Sequence, residues 1–193
     1  RGLLKHRPPI PKSKEGRGRP LYMTADQVTR LIDAETDPIL RAGWLLLTQA
    51  GIRISEALAL TWEDVDLQGR WLRVGNTFGD TKSGQFRSIP LSRRVAQGLQ
   101  DARDAGAAAP MGHHAYAWWS DRWKLACQGI GFVLPKGTST YVARHTTATL
   151  MIAAGLDVTE VQRILGHASV TTTQVYTKAT PIRLQQAIEK LWD

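Results

Sequence analysis

Apolar residues recur at the three- and four-residue spacing of helices over most of this chain, with one stretch where the period changes. Order begins at Thr24, where Thr24 and Gln27 form a capping-box pattern ahead of Val28, Leu31 and Ile32 on one helical face. A second helix is predicted over about 37–50, with Ile39, Leu40, Trp44 and Leu47 on its apolar side and Gly51 as its stop. A third starts near Arg53 and carries Leu58. Between 71 and 90 the pattern becomes Trp71-Leu72-Arg73-Val74, then Phe78, then Phe86 to Ile89, broken by Gly75, Gly79 and Gly84. That predicts a small antiparallel sheet with a tight turn at Lys82-Ser83-Gly84.

Helices return at about 92–105, 117–128 and 141–154. Asp157 with Glu160 makes a second capping box, starting a helix with Val158, Val161 and Leu165 inward and Gly166 at its end. A short helix near 171–178 precedes Thr180-Pro181, a cap followed by proline at the first helical position. The last helix aligns Leu184, Ile188 and Leu191 in a stripe that suits a neighbouring subunit and the same chain equally well. The fold class is α+β, mainly α, with a small three-stranded antiparallel sheet.

Residues 1–21 stand apart. Pro8, Pro9, Pro11 and Pro20 prevent regular helix and basic residues recur among them, so this stretch reads as a basic, Pro-rich linker or arm ahead of a domain over 22–193. Cys127 is the single cysteine, which excludes a disulfide within the chain and a cysteine-based metal cluster and fits a reducing interior such as the cytoplasm. No apolar run approaches the roughly 18 residues of a membrane-spanning helix. Lys and Arg number 25 against 17 acidic residues, a net charge of +8 that points to a polyanionic partner. Without a Lys-rich amphipathic helix to lie on a membrane, nucleic acid is the better candidate.

Four residues could serve such a partner, each bland when taken alone. Arg53 follows Gly51-Ile52 at a helix start, where a guanidinium fork adds to free N–H groups, with Glu56 three residues on to orient it. On its own this reads as a surface Arg–Glu pair. Arg144 repeats the arrangement after Ser139-Thr140, His167 sits just past a glycine-closed helix end, and Tyr176 lies in a threonine-rich segment.

Their combination is specific. The strings QAGIRISEALALTWEDVDL (49–67), DTKSGQFRSIPL (80–91) and ARHTTATLMIAAGLDVTEVQRILGHASVTTTQVYTK (143–178) resemble, in residue type, spacing and order, the signature of the tyrosine recombinases, the phage-integrase family. The resemblance covers nearly everything from residue 22 to the end, and implies the helical catalytic domain of that family. By it, Arg53 and Arg144 are the two arginines that grip the scissile phosphate, where fixed guanidinium groups meet charge gathering on non-bridging oxygens. Lys82, on the hairpin, matches the lysine that protonates the departing 5′-oxygen; His167 matches a residue that hydrogen-bonds the phosphate; Tyr176 matches the nucleophile. One position departs: Tyr141 stands where the family usually has a histidine, three residues before the second arginine. A neutral phenol is a poor general base, so its part in activating Tyr176 is in question. His145 matches a residue often found after the arginine, but its offset turns it about 100° away on the helix.

The family chemistry cuts DNA through a 3′-phosphotyrosyl intermediate and reseals it with a 5′-hydroxyl, requiring neither ATP nor a divalent metal, so no cofactor is expected. Expected partners are double-stranded DNA, a homotetramer of recombinases on DNA, and DNA-bending accessory proteins; no membrane is involved, and the setting is the cytoplasm or nucleoid of a bacterial host. Integration or excision of a phage or other mobile element is the leading role. An Xer-like resolvase or transposon recombinase would use the same chemistry, and a non-catalytic DNA-binding relative is the remote alternative. The family's N-terminal core-binding domain has no room before residue 22, so a fragment that binds DNA weakly is expected. Tyr22 and Tyr116 match no motif and read as packing residues, His113-His114 lacks partners at metal-ligand spacing, Trp118, Trp119 and Trp123 read as core or surface aromatics, and Cys127 as a buried filler.

Overall fold

A computed structural model of the chain describes residues 21–75, 86–135, 137–138, 140–166 and 179–192, with side chains in the last stretch from 184. The basic arm over 1–20, Phe78, the turn at Lys82-Ser83-Gly84 and the short helix over 171–178 lie outside these residues.

Local chemistry sets the helix starts. At α1 (Ala25–Asp33) the Gln27 amide donates to Thr24 Oγ1 at 3.2 Å and the Thr24 amide to Gln27 Oε1 at 2.9 Å, the reciprocal capping box. Asp37 opens α2 (Pro38–Thr48) by accepting the Ile39 and Leu40 amides, with Pro38 supplying the preset φ of a first helical residue. From Ala42 to Thr48 every residue of α2 is buried, and α1, the short α3 (Ile54–Leu58), α4 (Arg93–Asp104) and α6 (Tyr141–Ala153) all pack on it. A helix buried all round is the centre of the domain. On one side Trp44 meets Trp119 of α5 (Tyr116–Gly129) edge-on at 5.4 Å and Trp123 at 5.7 Å, both fully buried. Trp118 is half-buried, and Cys127 is the buried filler expected.

The sheet is antiparallel and three-stranded, in the order β1 (Val65–Asp66), β2 (Trp71–Gly75), β3 (Phe86–Pro90), with Leu72 opposite both Val65 and Ile89. Its third strand therefore lies before the 71–90 window rather than within it. Two residues are too few to display an alternating pattern, and Val65–Asp66 are recruited by pairing alone.

Threonines anchor α6 to the centre. Thr147 Oγ1 donates to the Thr48 carbonyl at 2.7 Å, closing the last turn of α2, and Thr146 Oγ1 accepts the Met23 amide at 2.9 Å. The helix α7 (Val158–Leu165) starts at Asp157, which accepts the Thr159 amide while Glu160 accepts that of Asp157. Its buried face is Val161, Ile164 and Leu165; Val158, expected inward, is 52% exposed because the first residue after the cap points away from that face. The terminal α8 (Ala179–Trp192) packs on β3 and α6, burying Leu184, Ile188 and Trp192 and half-burying Leu191, with an ion pair from Glu189 to Arg70. The stripe is covered within its own chain. Tyr22 and Tyr116 are not packing residues: they are 43% and 48% exposed, at the start of the fold and of α5.

Candidate active site

A tight turn, closed over by α6 and α7, brings the arginines together. After α2 the chain turns through Gly51 at a φ of 66°, a left-handed conformation that favours glycine. A Cβ there would stand 2.7 Å from Leu165 Cδ2 and 2.9 Å from Thr147 Cγ2, so α6 and α7 close over this position only because it is glycine. Arg53 then caps α3 with extended backbone, and its own amide donates to Glu56 Oε2 at 2.8 Å. The Arg53 guanidinium returns to Glu56 Oε1 at 2.8 Å.

Glu56 is no member of a surface pair. Its side chain is 2% exposed, while that of Arg53 is 36% exposed. Burial by itself would raise its pKa; hydrogen bonds from Arg87 and the Arg53 amide, with the charge of Arg87, outweigh it and hold the carboxyl below its ordinary value. Glu56 is thus an ionised, buried carboxylate shared by several cations.

Arg144, in the first turn of α6, is 3% exposed. It is held by carbonyls rather than a carboxylate: Nη1 donates to Gly51 O at 3.0 Å and Nη2 donates to Leu165 O, while Glu56 Oε2 is 4.0 Å away. Its Nε is buried with no partner among the described residues. Burial, and next the neighbouring charge of Arg53, push its pKa down to about 10, with Glu56 opposing. At neutral pH it remains a cation, one whose charge is poorly compensated where it sits. With Arg87 beside them, three guanidinium groups surround one carboxylate.

Arg53 and Arg144 line one cavity of about 170 Å³, with Ser55, Tyr116, Thr140 and Tyr141 among the polar residues around it. Such a space, walled by two guanidinium groups and rimmed by hydroxyl-bearing residues, suits a tetrahedral oxyanion. Tyr141 is 62% exposed, and His145, one residue beyond Arg144, is not among the lining residues, as its offset on the helix requires. Of the expected site residues, Arg53, Arg144 and Tyr141 come together here. Lys82, His167 and Tyr176 lie outside the described residues. The sequence reading missed Arg87 and Tyr116. No local signal marks Arg87, whose partners Glu56 and Ile164 are 31 and 77 residues away along the chain.

Residues 22–183 match the Phage integrase family. The chain belongs to that family. Among its relatives are the tyrosine recombinase XerC of Pelobacter propionicus, 33% identical over 89% of this chain and 59% of that protein, and the tyrosine recombinase XerA of Pyrococcus horikoshii, 30% identical over 95% of this chain and 64% of that protein. The integrase from mycobacterium phage Brujita superposes with a TM-score of 0.71 at 26% identity, over 97% of this chain and 61% of that one. The chain spans about three fifths of the length of these relatives. The fold of this family, helical with a small three-stranded sheet, is therefore the fold seen here.

Proposed function

We propose that this chain is the catalytic domain of a DNA strand-transferase that cuts and rejoins double-stranded DNA through a 3′-phosphotyrosyl bond to Tyr176. The observation that carries the reading is the cavity shared by Arg53 and Arg144, a pre-formed cationic site whose second guanidinium has an Nε with no partner among the described residues. A scissile phosphate seated there would gain charge on its non-bridging oxygens during transfer, against donors already in place. In this scheme Tyr176, its phenolic proton released to solvent, attacks phosphorus as the phenolate, the DNA 5′-oxygen leaves and takes a proton from Lys82, and His167 donates a hydrogen bond to the phosphate. Attack by a 5′-hydroxyl reverses the step, conserving bond energy without a cofactor. Residues 1–21 would run along phosphates as a basic arm, and a tetramer on two DNA sites would be the working assembly. Integration or excision of a mobile element is the role we assign; the Xer relatives favour resolution of DNA by the same chemistry as the second reading.

The test is a labelled duplex carrying a nick just 3′ of the cleavage position, so that a short fragment diffuses away and traps the intermediate. Randomising the base pairs around the nick removes the need to know the target. A protein–DNA adduct that forms in EDTA and vanishes with Tyr176→Phe, at little-changed DNA affinity, supports the reading. Adduct formation by Tyr176→Phe would mean another nucleophile, and binding without any adduct from wild-type protein would favour a non-catalytic DNA-binding relative.

A further inference from the structure

Arg87 is the second residue of β3, and its side chain is 14% exposed. It is not among the residues lining the cavity. Its guanidinium uses three donors in one plane on two different elements. Nη1 and Nη2 form a two-pronged bond to Glu56, at 3.0 Å to Oε1 and 2.7 Å to Oε2, and Nε donates to the Ile164 carbonyl at 2.9 Å. The same guanidinium lies against Gly166, the left-handed cap of α7, where a Cβ would stand 2.8 Å from Nη1 and 2.9 Å from Cζ. The last carbonyls of α7 are thus held by two arginines, Ile164 by Arg87 and Leu165 by Arg144.

We infer that Arg87 is a positioning residue: it occupies Glu56 and so keeps Arg144 on its two carbonyls, facing the anion cavity. This rests on the strand-transfer reading above. Each Glu56 oxygen takes one bond from Arg53 and one from Arg87. Remove Arg87 and a buried carboxylate loses half of the bonds it takes among the described residues, with Arg144 Nη1 already 4.0 Å from Oε2. A buried carboxylate left with Arg53 alone is under-compensated and draws the next nearest cation, Arg144. Closing that gap to an ordinary ion-pair distance moves Arg144 by about 1 Å, away from Gly51 O and Leu165 O. Misplacement on this scale is enough to cost about a hundredfold in rate. Glu56 is therefore both the support of Arg53 and a latent competitor for Arg144, and Arg87 decides which.

The experiment compares Arg87→Met, Glu56→Gln and the double variant, using single-turnover adduct formation on the randomised nicked duplex and the Arg144 Nε–H resonance of the same proteins. The expected result for Arg87→Met is a cleavage rate down by about a hundredfold with DNA affinity within about twofold, since Arg87 acts on geometry rather than on DNA. Adding Glu56→Gln removes the competing charge and should restore at least about tenfold of that loss. A double variant as slow as or slower than Arg87→Met, with Arg144 unshifted, would overturn the inference. If Arg87→Met does not fold, Arg87→Lys reads the same quantity, because one ammonium cannot serve Glu56 and Ile164 together; a wild-type rate there would equally overturn it. Wild-type protein that forms no adduct sinks the strand-transfer reading, while the Arg144 resonance still decides the contact: it moves in Arg87→Met and returns in the double variant, or the inference fails.

Discussion

Two buried regions flank the central helix α2, and they are held by different physics. On one side Trp44, Trp119 and Trp123 make an aromatic cluster, each at most 1% exposed. Beside the cavity, Glu56 and Arg144 are almost as deeply buried, at 2% and 3%, with Arg53 and Arg87 against the same carboxylate. The aromatic cluster is stabilised mainly by buried apolar area, which is non-directional. The charged layer is directional, and each member fixes the position of the others. A change in the first should cost stability and leave the chemistry of folded molecules alone. A change in the second should cost chemistry through geometry.

The largest expected effect is at the centre of the charged layer. Arg144→Ala should slow adduct formation by at least about 10²–10³-fold, the loss typical of removing a donor fixed on developing charge. Single-turnover cleavage with saturating protein reads it directly, and a rate near that of wild type would remove Arg144 from the phosphate clamp. Trp119→Ala is the matched change on the other side. Truncating a fully buried aromatic costs roughly 3–5 kcal/mol by loss of transfer energy and creation of a cavity. Urea denaturation should show that loss, while the cleavage rate per folded molecule stays within about twofold. If Trp119→Ala slowed chemistry in the folded fraction as Arg144→Ala does, the division between the two regions would be wrong.

The same division explains what could be read before any coordinates. Capping at Thr24–Gln27 and Asp157–Glu160 was legible because both partners sit within one helical turn. Spacing along single helices placed Val28, Trp44, Leu47 and Val161 in the core. Arg53 and Arg144 were legible as candidates through the order of motifs, although 91 residues separate them in the numbering. The charged layer itself was not. Arg87 looks like any outward polar residue of a strand, and only tertiary closure sets it against Glu56 and Gly166. Glu56 in isolation reads as the acidic half of a surface pair, because nothing three residues from Arg53 announces that it will be buried. Tyr116 entered the cavity rim through the packing of α5, and Val65–Asp66 joined the sheet through pairing, neither of which leaves a periodic trace.

A smaller effect separates the regions by pH. Glu56 has its folded pKa below the ordinary value of 4.5, chiefly because bonds from Arg87 and Arg53 outweigh its burial. The sign follows: its contribution to stability is present above the ordinary carboxylate range and is lost as pH falls through the depressed folded value. Wild-type protein should therefore lose stability on acidification below about pH 4.5 more steeply than Glu56→Gln, measured by urea denaturation across that range. Trp119→Ala should keep the wild-type slope, since no proton is bound or released in the aromatic cluster. Parallel acid limbs for wild type and Glu56→Gln would show that Glu56 is not held as an ion.

The smallest expected effect tests the rim of the charged layer rather than its interior. Tyr141 borders the cavity with Arg144 one helical turn away, yet it is 62% exposed, and the family resemblance leads one to expect histidine at its position. A phenol titrates near pH 10 and an imidazole near 6.5, so only the histidine can accept a proton from the nucleophile at neutral pH. Tyr141→His should cleave at a rate equal to wild type or up to about tenfold faster. Its pH profile should also gain a rise between about pH 6 and 7 that the wild-type profile lacks. A large loss of rate, with folding intact, would show that the Tyr141 hydroxyl has a task of its own on the phosphate or the nucleophile, and would move the boundary of the working site from Arg144 out to the first residue of α6.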